Sequence, residues 1–166
     1  GAVRSIPIDV SWTPRIPTGR TVIHAGRLVD GVGRTARQDM DVVVEGNRIR
    51  TVEPHRAELH TGTVVDASDR TLMPGLIDAH IHVTKGHGDR LGRIMLAYGI
   101  TGARSPANNP FEVLEEQEAF DAGRRPGPRI FHTGYLLEGP RQYWEVSSSV
   151  STPAEIDREI ERAKRL

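Results

Sequence analysis

The feature that most constrains this chain is the run Leu72-Met73-Pro74-Gly75-Leu76-Ile77-Asp78-Ala79-His80-Ile81-His82-Val83, apolar along most of its length and ending in two histidines one residue apart. Pro74-Gly75 imposes a bend inside it, so the residues after the bend start a new layer of structure. The run is too short to span a bilayer. Its apolar content predicts a strand, in which side chains alternate between faces. His80 and His82 then project to one side, while Ile77, Ile81 and Val83 turn to packing on the other. Two imidazoles about 7 Å apart along a strand can converge on one metal ion, and zinc and related divalent ions favour such nitrogen ligands. The plainer alternative is a pair of core histidines hydrogen-bonded through their rings.

Composition narrows the classes. The 166 residues carry 22 basic and 22 acidic side chains and no cysteine. A neutral balance gives no support for a nucleic-acid partner or an anionic membrane surface. Without cysteine there is no disulfide framework and no thiolate ligand, so a metal site here must use nitrogen and oxygen donors. The segment Gly1 to Pro7 lacks an apolar core long enough for a signal peptide, which leaves the cytoplasm as the default location.

Residues 1–19, with Pro7, Pro14, Pro17 and an isolated Trp12, read as an extended arm in which Trp12 packs on a neighbouring surface. From residue 20 to residue 74 the pattern is one of short β runs: Thr21–His24, Arg27–Val29, Met40–Glu45, Arg48–Val52, Thr63–Asp66 and Thr71–Met73. Gly46-Asn47 marks a two-residue hairpin, and Asp66-Ala67-Ser68-Asp69 a second turn. These runs suggest a small β-sandwich. His24, His55 and His60 fall in or beside them and are read as surface or structural residues.

After His82 the glycine-flanked loop Thr84–Gly88 carries His87. Leu91, Ile94, Met95 and Tyr98 at helical spacing predict a helix with those residues in the core, stopped by Gly99. Ile100–Ser105 reads as a second strand, with Arg104 near its end. Asn109-Pro110 opens another helix, closed by Gly123, and a third strand runs through Ile130 and His132. The polar stretch Glu138–Ser151 reads as a long loop exposing Tyr143 and Trp144. Thr152-Pro153-Ala154-Glu155 is a capping box, and Ile156, Ile160 and Ala163 mark the buried face of a third helix.

The string Met73-Pro74-Gly75-Leu76-Ile77-Asp78-Ala79-His80-Ile81-His82 resembles the first barrel strand of the amidohydrolase superfamily, the metal-dependent hydrolases that include imidazolonepropionase, dihydroorotase and prolidase-like enzymes. Ile100–Arg104 and Pro126-Gly127-Pro128-Arg129 resemble the runs at that family's second and third strands. The resemblance implies a mixed β and α/β fold: a small β-sandwich flanking domain (20–74), then the first three β/α units of a TIM-type (β/α)8 barrel (75–166). A complete barrel needs about 200 to 250 residues, so the barrel is incomplete in this chain.

The resemblance also implies that His80 and His82 bind a divalent metal, zinc first, with one or two ions per site. It further implies hydrolysis of a C–N bond in a small molecule. In the family the other ligands come from later strands and the acid/base aspartate from the eighth, so that residue is expected beyond Leu166. Neither Lys85 nor Lys164 matches the bridging position. His87, Arg104, Tyr143 and Trp144, expected at the barrel mouth, are candidate substrate contacts. The other reading is a non-catalytic relative acting by association. Three parallel strands with open edges further predict a homo-oligomer or aggregate for the isolated segment; a monodisperse monomer by light scattering would contradict that.

Overall fold

The computed structural model describes Ile6 and residues 11–165; Pro7 and Leu166 lie outside the described residues. The chain divides into two compact units, Ile16–Gly75 and a second that runs from Leu76 onward and includes the described residues ahead of Ile16.

In the first unit, β1 (Arg20–Leu28), β2 (Arg37–Glu45), β3 (Arg48–Pro54) and β4 (Thr63–Leu72) form one sheet in the order β3-β2-β1-β4. β1 pairs antiparallel with β2 and parallel with β4. One face packs Leu28, Met40 and Val42 with Ile23, Val44, Val52 and Leu72, and Val22, Ala25, Asp41 and Val43 are buried as well. A tight turn at Gly46, φ +61°, joins β2 to β3. Among the described residues these strands make a single sheet; a second, facing sheet is not present.

The stretch Asp66–Asp69, which has the composition of a turn, lies inside β4. The register with β1 slips there, Ala25 pairing with Ala67 but Arg27 with Thr71. Gly26 is the reason: a Cβ on it would sit 2.0 Å from the Ser68 carbonyl oxygen. The bare backbone lets β4 bulge across β1, and Asp66 Oδ1 accepts the Ser68 N–H inside the bulge (3.0 Å). Turn chemistry here serves a bulge.

In the second unit, β5 (Leu76–Asp78), β6 (Ile100–Ser105) and β7 (Arg129–His132) pair in parallel, with α1 (Asp89–Ala97) and α2 (Pro110–Asp121) as the crossovers. Parallel pairing demands such crossovers, and each helix has its local cause. Asn109 Oδ1 accepts the Phe111 N–H, with Pro110 in the first turn of α2. Gly99 at φ +76° and Gly123 at φ +66° come directly after α1 and α2. α3 (Pro153–Ala163) carries the capping box of Thr152 and Glu155 in full. The core is Val83, Met95, Ala103, Val113, Phe120 and Ile130.

Several expectations need correction. β5 ends at Asp78, so His80 and His82 lie beyond the strand. Ile77 is 76% exposed, because the sheet face opposite the helices is bare among the described residues. Ile94 and Tyr98 are exposed where Leu91 and Met95 pack, since α1 meets the sheet along a narrow stripe. Ile156, Ile160 and Ala163, expected on a buried face of α3, are all exposed, because nothing among the described residues covers that face. Within Glu138–Ser151, Ser147–Ser149 forms a strand, β9, pairing in parallel with β8 (Leu136–Glu138).

Gly92 sets the closeness of α1. A Cβ there would meet Pro126 O at 2.2 Å and Phe120 Cε1 at 3.0 Å. The obstruction is backbone and cannot rotate away. Gly92→Ala is expected to destabilise this unit by about 1–3 kcal/mol despite alanine's better helix propensity, read as a lower denaturant midpoint.

Candidate functional site

His80 and His82 line a cavity of about 480 Å³ together with Thr84, Asn109, Glu112 and Trp144. The two imidazole centroids stand 5.2 Å apart with their planes at 71°. No regular strand holds them, so other bonds must. Asp78 Oδ1 accepts the His80 N–H (3.1 Å), and Ile81 N–H donates to Arg104 O (3.0 Å), carrying β5's pairing on past its end.

Val83 is clamped from both sides. Its N–H donates to Ser105 Oγ (3.0 Å), and its carbonyl accepts from Asn108 Nδ2 (2.8 Å). Ser105 Oγ in turn donates to Asn108 Oδ1. Ser105 and Asn108 are buried, so these bonds form away from water, where leaving one unmade is costly. Ala107, at φ +54°, bends the chain between them. Sequence reasoning did not single out Ser105 or Asn108. A serine at the end of β6, three residues ahead of an asparagine, is the signal that could have found them.

The expected substrate contacts divide. Trp144 is on the cavity wall, whereas His87, Arg104 and Tyr143 are not among its lining residues. His87 Nδ1 bonds Thr84 Oγ1 within its own loop (2.9 Å). Arg104 pairs with Phe131 on the open sheet face. Tyr143 is 82% exposed, edge-on to Trp144 at 5.2 Å. His132 lies in register with Ser105, on the helix-covered face, and burial lowers the basicity of its ring.

Glu138 holds the aromatic pair in place. Its Oε2 accepts the Tyr143 and Trp144 N–H groups (3.0 and 3.2 Å). The Ser147 side chain and these amides keep its carboxyl below the ordinary 4.5. A carboxylate with a depressed pKa contributes its bonds above the unfolded value and loses them as pH falls through the folded one. The Trp144 amide proton resonance is therefore expected to titrate in acid with a midpoint below 4.5.

No family model matches the chain. It is 38% identical over 122 residues, 70% of its length, to an adenine deaminase of Mesorhizobium japonicum, of which it covers 17%. The chain spans about a fifth of the length of the curated relatives it matches. Of solved structures, a protein assigned as a prolidase from Bifidobacterium longum superposes with a TM-score of 0.72 at 25% identity, over 91% of this chain and 39% of that one. A solved amidohydrolase shares the fold at a TM-score of 0.68 and 20% identity, over 89% of this chain and 44% of its own. With the His80-Ile81-His82 string set at the end of the first of three parallel strands, these likenesses establish that the chain belongs to the amidohydrolase superfamily.

Proposed function

We propose that this chain is the N-terminal part of a metal-dependent hydrolase of C–N bonds, with residues 20–74 as its flanking β domain and 75–166 as the start of its (β/α)8 barrel. His80 and His82 are two of the metal's ligands, zinc being the ion that their nitrogen donors suit best. The observation that carries this reading is the pair of imidazoles 5.2 Å apart on the wall of one cavity, held by a buried clamp on the adjoining backbone.

The residues present fit half of such a site. A catalytic zinc takes about three protein ligands and keeps a position open, and this chain supplies two imidazole nitrogen donors facing a roomy cavity. When bound, the ion would polarise the scissile C=O or C=N group and lower the pKa of water. The chain's own residues do the rest. Asp78 and the Ser105–Asn108 pair fix where the imidazoles stand, and Trp144 offers an apolar wall against which a planar substrate lies. His87, Arg104 and Tyr143 stand outside this cavity, Arg104 being fixed in β6, and have no part in this reading.

Adenine, the substrate named for the curated relatives, and Xaa-Pro dipeptides, suggested by the prolidase likeness, are the first compounds to assay with the full-length protein. Release of ammonia or of proline that stops on chelation and resumes with added zinc is the expected result. A pure, folded protein that binds these compounds yet hydrolyses neither them nor other C–N substrates, amide or amidine, would favour the non-catalytic reading.

A further inference from the structure

The first unit holds a second group of histidines, whose sequence pattern is that of surface or structural residues. Antiparallel pairing sets His24 of β1 opposite Asp41 of β2, and parallel pairing sets it opposite Asp66 of β4, so the three side chains share one sheet face. The connection from β3 to β4 then folds back over that face. His55 N–H donates to Asp39 O (2.9 Å), and Arg56 N–H to Asp41 Oδ2 (2.8 Å). These bonds bring His55 and His60 down onto Asp41. His55 Nδ1 lies 3.2 Å and His60 Nε2 3.1 Å from Asp41 Oδ1. His24 stacks on His55 with ring centroids 3.9 Å apart.

We propose that His24, Asp41, His55 and His60 form a binding site for one divalent transition-metal ion, of zinc type, in the β unit. One ligand atom from each of the four lies within 4.8 Å of all the others. Bringing them to the ~2.0–2.2 Å bonds of a four-coordinate ion requires the donor atoms to close in and the stacked His24 and His55 rings to tilt toward a common centre. Three imidazoles and one carboxylate are the donor set zinc accepts in the absence of thiolates.

Two further observations distinguish this group from a chance cluster of titratable side chains. Asp41 is fully buried, an expensive place for a carboxylate unless its oxygens are satisfied, and its partners here are two ring nitrogens and one backbone amide. His24 Nε2 is 2.8 Å from Asp39 Oδ1, the carboxylate-to-histidine arrangement that orients a metal-ligating ring from behind. Asp39 reaches it from a backbone at φ +50°, a conformation that non-glycine residues seldom adopt. The ion would replace the hydrogen bonds that His55 and His60 make to Asp41, and would tie β1, β2 and the β3–β4 connection together.

The test uses the full-length protein stripped of metal and reloaded with zinc. His55→Gln/His60→Gln is expected to hold one ion per chain fewer than wild type while keeping its hydrolytic rate within about twofold. A second measurement needs no variant: peptide mapping after diethylpyrocarbonate treatment is expected to show His24, His55 and His60 modified at least tenfold more slowly with zinc than without. Equal metal content in wild type and a folded variant would overturn the proposal, as would modification rates that zinc leaves unchanged.

Discussion

On the proposed function, His82→Ala in the full-length protein is expected to lower hydrolysis by at least about 100-fold and to leave the fold intact. Outer-shell partners of a metal ligand are worth 10–100-fold in affinity or activity, and removing a ligand itself costs no less. Stability is spared because His82 is exposed at the cavity and packs little, while the adjoining Val83 keeps its buried place. His80→Ala behaves alike. Steady-state rates beside circular dichroism distinguish this outcome from unfolding. A His82→Ala protein with wild-type rates would remove His82 from the mechanism.

The second large effect is expected at Asn108. Asn108→Ala deprives the Val83 carbonyl and the Ser105 hydroxyl of their partner in a buried setting, at a cost of about 2–3 kcal/mol. It also frees the backbone next to His82. The variant should therefore unfold at lower denaturant and, where folded, bind zinc about 10–100-fold more weakly. Ser105→Ala removes the acceptor of the Val83 N–H and should act in the same direction. A loss of stability with unchanged zinc affinity would make the clamp a purely structural device.

The legible features rest on chemistry that is local in the chain. The capping box at Thr152 and Glu155 and the glycine stops at Gly99 and Gly123 depend on neighbours a few positions away, and all are in place. The His80-Ile81-His82 spacing is legible for the same reason, although the strand expected to present it ends at Asp78.

The misses depend on what lies across space. Asp66–Asp69 has turn chemistry, yet Gly26 on another strand makes it a bulge. Ser147–Ser149 looks like loop until Leu136–Glu138 pairs with it. Ile77 and Ile160 carry the pattern of buried residues and stand uncovered, because pattern records which face is apolar and not what covers it. The convergence of His24, Asp41, His55 and His60 depends on strand register and a folded-back connection, which no spacing in the sequence encodes.

Likeness to the amidohydrolases extends over most of this chain but only a minor part of its relatives, so the decisive measurement belongs to the full-length protein. Metal content and hydrolytic rate should be followed on the same samples of wild type and His80→Ala/His82→Ala as zinc is removed by chelation and then titrated back. Wild-type activity is expected to fall and return in step with the metal, and the double variant to recover none at any zinc concentration. Hydrolysis at the wild-type rate by metal-free protein, or its full recovery in the double variant, would contradict a metal held by His80 and His82.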